Sequence, residues 1–419
     1  MSTSSARLRR DQARPTRCSY FDAGACRSCS QLPVPYGQQV AAKQAQLERL
    51  LPAVPAWLAP QRSAPERFRT SVKLVAGGSA ARPKLGIAGA DFAGVDLSRC
   101  PIVDARIEAA LPALKRAITE ATLTPYSVPR RRGELKNVLV TVSERGELMV
   151  RFVLRSRERL GALRAALPAL HRRLPKLRIV TANLLPEHVA LPTGQEEIAL
   201  SGPAYLPLPV GDVTLFAHPG SFLQTNTQVA GQLYRRAGAW LAARRPAHVV
   251  DLFCGMGGFA LHAAAAVADV AAPTSPSTAP GGGEANVVPD GGKAERPAGA
   301  VTIQGVDVSA ASIASARRAA RAAGLAADFN VADLTRLVDL EVPAGAAVIV
   351  NPPRRGVGEL MTHWLEQCAA STLIYSSCNP ATLATDLERL PSWRPVEGQL
   401  FDMFPHTSHC EVAVLLERD

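Results

Sequence analysis

No stretch of this 419-residue chain approaches the roughly 18 uninterrupted apolar residues that a membrane-spanning helix requires. The N-terminal Met1–Arg17 carries five arginines but is not followed by the apolar core of a secretory signal. A cytoplasmic protein without a membrane partner is the expectation. Acidic residues are also in short supply, 36 Asp and Glu against 47 Lys and Arg, which leaves a formal charge of +11. Such a surplus fits a polyanion, since phosphates attract lysine and arginine with release of counterions. An arginine-rich soluble protein without such a partner would carry the same balance. The clusters Arg130-Arg131-Arg132, Arg172-Arg173 and Arg354-Arg355 tilt the reading towards nucleic acid. With 47% hydrophobic and 20% charged residues, the chain has the make-up of an ordinary soluble protein, long enough for two or three domains with their own cores.

Four regions are expected. Residues 1–17 form a polar, basic, disordered tail. Residues 18–67 hold three cysteines and a helix over Gln38–Leu51, where Val40, Ala41, Ala45, Leu47 and Leu51 recur at helical spacing. Residues 68–213 give mixed α+β signals: runs at 137–142 and 148–154 around the turn Glu144-Arg145-Gly146 predict a hairpin, and a helix over Gly161–Leu174 follows. In residues 214–419, strands at 248–252, near 301–307 and near 346–351 and the strand ending in Ser376-Ser377-Cys378 alternate with helices at 259–268 and near 310–323. That alternation predicts a doubly wound, Rossmann-like α/β domain with a parallel sheet. Residues 271–300 interrupt it with Ala, Pro, Gly, Ser and Thr, which bury little. Deleting this surface loop is expected to leave activity nearly intact, and loss of cofactor binding in the deletion variant would show the loop to be functional.

Two stretches organise the chemistry, Asn351-Pro352-Pro353-Arg354-Arg355-Gly356 and Ile374-Tyr375-Ser376-Ser377-Cys378-Asn379-Pro380. Each follows an apolar run and should lie at the carboxyl end of a buried parallel strand, the edge where open α/β sheets bind ligands. Upstream, Asp251-Leu252-Phe253-Cys254-Gly255-Met256-Gly257-Gly258 makes a tight turn before a helix N-terminus, and Asp307 ends the next strand, where an acidic side chain receives ribose hydroxyls. The glycine spacing is not Gly-x-Gly-x-x-Gly, so a dinucleotide oxidoreductase fits poorly. Arg354 stands where exocyclic-amine methyltransferases place a stacking aromatic, so amine methylation is disfavoured. Of the eight cysteines, Cys18, Cys26 and Cys29 are spaced x7 and x2, and Cys100 precedes a proline. Four thiolates can hold zinc or an iron-sulfur cluster, and unligated thiols are the plainer alternative. Cys254, Cys368 on a helical face and Cys410 read as packing residues.

Phe222-Leu223-Gln224-Thr225-Asn226, the Asp251–Gly255 loop, Asn351-Pro352-Pro353-Arg354, Ser376-Ser377-Cys378-Asn379 and Asp402-Met403-Phe404-Pro405-His406-Thr407 together resemble the signature set of the RNA (uracil-5-)-methyltransferases. The cysteine spacing, Arg132-Gly133-Glu134-Leu135-Lys136 and the Asn-Pro-Pro-Arg-Arg-Gly variant resemble the branch that acts on 23S rRNA. The likeness covers residues 18–419 apart from 271–300. It implies a class I methyltransferase domain using S-adenosyl-L-methionine, preceded by an iron-sulfur segment and a central RNA-binding domain. It implies cofactor contacts from Gln224, Phe253, Asp307 and Asn351, a [4Fe-4S] cluster on Cys18, Cys26, Cys29 and Cys100, a nucleophile at Cys378 and a proton acceptor at Glu411. Asp307 stands where the family commonly has Glu, and Phe68-Arg69-Thr70-Ser71 departs from the common Phe-Arg-Asn-Lys, so RNA contacts do not transfer to Thr70 or Ser71. The residue types suit the chemistry: a thiolate must add to carbon 6 of uracil before carbon 5 can attack a methyl group, and a base must then remove the proton from carbon 5. A uridine inside folded RNA must be flipped out first. The same chemistry on tRNA or another ribosomal uridine stays open, as do a non-catalytic RNA-binding or assembly factor, against which Cys378, Glu411 and Gln224 argue, and a redox protein. No obligate protein partner is evident.

Overall fold

The computed structural model describes residues 16–89, 94–271, 301–334 and 340–418. Most of the basic tail and of the 271–300 insertion lies outside them. In chain order the strands are β1 (Trp57–Gln61), β2 (Ser71–Gly78), β3 (Pro83–Ile87), β4 (Val95–Asp96), β5 (Leu135–Val142), β6 (Leu148–Leu154), β7 (Leu177–Leu184), β8 (Glu196–Ser201), β9 (Leu206–Val210), β10 (Val213–Ala217), β11 (His248–Leu252), β12 (Thr302–Asp307), β13 (Ala327–Val331), β14 (Ala347–Val350), β15 (Thr372–Ser377), β16 (Arg394–Phe401) and β17 (Glu411–Glu417).

Eight strands form the sheet that carries the motifs, in the order β1-β16-β17-β15-β14-β11-β12-β13. The apolar runs of β14 and β15 are buried on both faces, because helices cover each side. Val249, Ile349 and Ile374 point into one core with the helices Thr227–Arg244, Gly258–Ala271 and Ala310–Ala323. Their neighbours Val250, Val348 and Leu373 point into the other, with Tyr36–Leu50, Gly358–Gln367 and Pro380–Glu388. The strands β11 to β15 pair in parallel, as expected. The sheet as a whole is not parallel: β17 runs antiparallel to both β15 and β16. The physical reason is the return of the chain through residues 402–410, which closes a long β16–β17 hairpin. Its consequence is local, because an antiparallel β17 begins where β15 ends: Ser377 faces Val412, and Glu411 precedes it.

The central sheet, β4-β3-β2-β5-β6-β7-β8, packs the helices Ala105–Glu120 and Leu160–Arg173 over one apolar face. The predicted hairpin is β5–β6, closing with Val142 opposite Leu148, and β7 lies parallel to β6 after the helical crossover. The hairpin β9–β10 stands apart from both large sheets.

The cysteine-bearing segment is built into the C-terminal sheet. β1 pairs in parallel with β16, and the helix Tyr36–Leu50 lies in the second core. From that helix Lys43 donates to Asp402 at 2.6 Å and to the Phe404 carbonyl at 3.0 Å, both side chains being almost fully buried. Gln39 accepts from the His406 amide at 2.8 Å, and its amide nitrogen lies 3.2 Å from His406 Nδ1. These contacts fasten residues 402–406 to the N-terminal helix. Removing one partner of a buried ion pair leaves an uncompensated charge, so Lys43→Met is expected to cost about 3–5 kcal/mol. A fall in the denaturant midpoint checks this, and an unchanged midpoint would mean that Asp402 finds another partner.

Candidate active site

The two motif loops leave β14 and β15 side by side, as expected from their sequence. Asn379 Nδ2 donates to the Arg354 carbonyl at 3.0 Å, and Thr382 Oγ1 does so at 3.3 Å, so the Asn-Pro-Pro-Arg loop is held by the Ser-Ser-Cys-Asn turn. At Gly356, with φ +80°, a Cβ would come within 2.3 Å of Asp386 Oδ2. That carboxylate already accepts from the Val357 amide and the Tyr375 hydroxyl.

One cleft is lined by Gln224, Phe253, Gly255, Met256, Phe259 and Asn351. Three of the four residues expected to contact a cofactor therefore share one wall. The fourth, Asp307, stands beside it: its Oδ2 accepts from the Gly255 amide at 3.1 Å and its Oδ1 from the Ser309 amide at 2.8 Å. Its contact with the glycine loop follows from β11 and β12 being neighbours, which the insertion between them leaves intact. Phe253 holds φ +62°, a left-handed conformation that costs a non-glycine residue strain and is found at ligand-binding turns. Asn226 caps the helix Thr227–Arg244 by accepting from Val229 and donates to Ser63 Oγ at 2.8 Å, which fixes the loop carrying Gln224. Asp251 is fully buried; it accepts from the Ala260 amide at 3.0 Å, while its Oδ1 has no partner among the described residues. Burial pushes this carboxyl up to about 8.

A second cleft, of about 400 Å³, is lined by Cys29, Phe68, Arg69, Arg354, Cys378 and His409. Cys378 is half-buried, and burial first, then the Glu411 carboxylate, raise its thiol pKa, with the Arg354 guanidinium opposing them. Arg354 Nη2 lies 3.3 Å from His409 Nδ1. Burial and then Arg354 hold His409 below the usual histidine range, so its ring can accept from the guanidinium.

Glu411 is linked to a residue of each cleft, to Asn351 of the first by a hydrogen bond and to Cys378 of the second by its charge. It is buried, and its Oε1 accepts from Ser376 Oγ at 2.7 Å and from Asn351 Nδ2 at 3.1 Å. Burial pushes its pKa up to about 7 against the pull of those two donors. Asn351 thus touches both the first cleft and Glu411. Ser376 had no role in the sequence reading; its signal is the alternation of β15, which turns it to the side where β17 begins.

Cys18, Cys26, Cys29 and Cys100 are half-buried, and the charges of Cys18 and Cys26 bear on both Cys29 and Cys100. Burial, then Cys100, Cys26 and Cys18, push Cys29 up to about 12. Cys100 is raised by burial, with the backbone amides of Ile102 and Val103 working against it. Among the described residues no group of three or more His, Cys, Asp or Glu side chains is closed to metal-ligand spacing. Cys254 and Cys410 are buried, in keeping with packing roles. Cys368 caps the end of its helix instead of standing on a helical face, and its Sγ lies 3.8 Å from Arg418. Thr70 and Ser71 have structural partners: the Thr70 amide donates to the Thr225 carbonyl at 2.9 Å, and Ser71 Oγ meets Thr141 Oγ1 at 3.1 Å. The arginine pairs and triplet at 130–132, 172–173 and 354–355 are exposed.

Known proteins resemble the chain over nearly its whole length. Residues 207–419 match the family described as tRNA (Uracil-5-)-methyltransferase. The chain is 42% identical to the 23S rRNA (uracil(747)-C(5))-methyltransferase RlmC of Serratia proteamaculans, over 96% of this chain and 100% of that protein. It is likewise 42% identical to the protein of that name from Yersinia pestis, over 95% and 98%. Among solved structures, Pyrococcus abyssi tRNA (uracil-54, C5)-methyltransferase in complex with S-adenosyl-L-homocysteine superposes with a TM-score of 0.72 at 23% identity, over 93% of this chain and 84% of that one, a likeness of fold. By its sequence match and full-length similarity the chain belongs to the RNA (uracil-5-)-methyltransferase family.

Proposed function

We propose that this protein transfers a methyl group from S-adenosyl-L-methionine to carbon 5 of a specific uridine in 23S rRNA, through a covalent bond between Cys378 and the base. The observation that carries the reading is the approach of a half-buried thiol and a buried carboxyl, Cys378 and Glu411, where the cleft lined by Gln224, Phe253 and Asn351 adjoins a second, arginine-lined cleft. The rRNA target rests on full-length similarity to proteins named for that substrate.

S-adenosyl-L-methionine supplies an electrophilic methyl group. Cys378, as thiolate, adds to carbon 6 of the flipped-out uracil; the sulfur–carbon bond forms and the electron pair of the carbon 5–carbon 6 double bond moves to the carbonyl oxygen on carbon 4, an enolate that makes carbon 5 nucleophilic. After carbon 5 has gained the methyl group, Glu411 takes the remaining proton there, the carbon–sulfur bond breaks and the thiolate is restored. A base with a pKa raised to about 7 is matched to that task, being largely ionised just above neutrality without being too weak. Arg354 favours the thiolate and offers donors to an enolate oxygen on carbon 4 of the base. Gln224, Phe253, Asp307 and Asn351 are the residues to hold the cofactor.

Cys18, Cys26, Cys29 and Cys100 would hold a [4Fe-4S] cluster, and the chemistry of the set fits, because the charges of Cys18, Cys26 and Cys100 reach Cys29, an all-sulfur donor set whose mutual repulsion as thiolates a cationic iron centre would relieve, and the Ile102 and Val103 amides favour the charged form of Cys100. Bound there, it would supply a covalent tie between the 18–29 segment and the loop at residue 100. Protein purified without oxygen should be brown and contain iron and sulfide in near-equal amounts, and stoichiometric zinc without either would overturn the assignment. The function itself is tested by mapping 5-methyluridine in rRNA from cells with and without the gene. One 23S site should lose its modification; loss confined to tRNA would move the substrate, and no loss would remove the reading.

A further inference from the structure

Two donors, Ser376 Oγ at 2.7 Å and Asn351 Nδ2 at 3.1 Å, converge on one oxygen of Glu411, and no donor among the described residues reaches the other. This arrangement is dictated by strand geometry. Ser376 sits on β15 opposite Ala413 of β17, so its side chain lies on the flank where Glu411, two residues earlier on β17, turns inward. Asn351 follows β14, the other neighbour of β15, and reaches the same oxygen from beyond it.

We propose that Ser376 is a positioning residue for the base: with Asn351 it clamps Oε1 of Glu411, keeps the carboxylate ionisable in its buried site, and leaves Oε2 as the oxygen that takes the proton from carbon 5. The proposal rests on the methyl-transfer reading above.

A carboxylate removed from water is disfavoured unless hydrogen bonds to its charged form replace the lost hydration. Glu411 has two such donors, and both hold its pKa down against burial. Of the two, Ser376 makes the shorter contact and is itself wholly buried, so no solvent would take its place. The remaining groups around Glu411 do not substitute for it. Cys378 lies at the end of β15, and its thiolate would oppose the carboxylate; Cys410 is the adjoining residue on the loop, with its thiol pushed up to about 12. Tyr234, from the helix Thr227–Arg244, is partly buried and held neutral, its pKa raised by desolvation and then by Glu411. None is a cation. Without Ser376 the base would be mostly protonated at neutral pH, and removal of the proton from carbon 5 would slow.

The test separates formation of the protein–RNA adduct from its decay. In Ser376→Ala, adduct formation with RNA and methyl-labelled cofactor should proceed, while decay of the methylated adduct at pH 7 should slow about fivefold, because raising a pKa of about 7 by about one cuts the ionised fraction at pH 7 from about a half to about a tenth. The decay should recover at higher pH. Ser376→Thr and Ser376→Val fill the site equally and differ only in the hydroxyl, so threonine should keep the wild-type pH profile and valine should follow alanine. Coincident profiles for threonine and valine, or equal losses of formation and decay without displacement along the pH axis, would overturn the proposal. Adducts that never form in any variant, wild type included, would instead remove the covalent reading on which it stands.

Discussion

Cys378→Ala will form no denaturation-resistant complex with RNA and will release no methylated product. Carbon 5 of uracil becomes nucleophilic only after a nucleophile has added to carbon 6, so removing that nucleophile stops the sequence at its first bond. The surroundings offer no substitute. Ser377 Oγ donates to the Asn379 carbonyl at 3.1 Å and accepts from the Asn379 amide at 3.0 Å, which commits it to the turn. Cys410 is buried and its thiol is pushed up to about 12, too weak an acid to supply thiolate at neutral pH. Cys29 opens onto the same cleft, but its thiol is equally high and it is one of the four cysteines proposed to hold a cluster. Incubation with RNA and methyl-labelled cofactor followed by a denaturing gel reads the result, and turnover should fall to background. A labelled adduct in Cys378→Ala would remove this cysteine as the nucleophile.

Much of this site was legible because its elements are local. The apolar runs before Asn351 and Ser376 announce buried strands, and parallel neighbours place both motifs at one edge of the sheet. Asp307 could be paired with the glycine loop despite the insertion, since adjacency of β11 and β12 does not depend on the length of the connection. What stayed hidden depends on pairing between distant parts of the chain. Trp57–Gln61 has no period or turn that names β16, more than three hundred residues away, as its partner. Lys43 looks like one more charged residue on a helix until Asp402 is found against it in the core. The antiparallel entry of β17 is likewise invisible to an alternation of strands and helices, and on it depends the approach of Glu411 to Cys378. The family motif put Glu411 forward as a candidate, while its two donors could be identified only from the fold.

Glu411→Gln should differ from Cys378→Ala in kind. If the carboxylate acts only after methyl transfer, the glutamine variant still adds Cys378 to carbon 6 and still alkylates carbon 5, but it cannot remove the proton there. The loss of a positioned base is worth about 10²–10⁴-fold in rate, and because the blocked step follows bond formation, protein–RNA adduct carrying the labelled methyl group should accumulate while free product falls by that factor. Glutamine also removes the negative charge that raises the Cys378 thiol, so adduct formation should be no slower than in the wild type. The same substitution has a signature in stability. The Glu411 pKa is raised in the folded protein, to about 7 from an ordinary 4.5, so its contribution to stability is fully present below pH 4.5 and is lost as the pH rises through 7. Glutamine keeps a neutral, hydrogen-bonding group there at every pH, and the variant should therefore melt above the wild type at pH 8, with the difference closing towards pH 4.5. Wild-type turnover in Glu411→Gln would remove Glu411 as the base. A variant that is inactive, forms no adduct and melts below the wild type at pH 8 would make the residue structural.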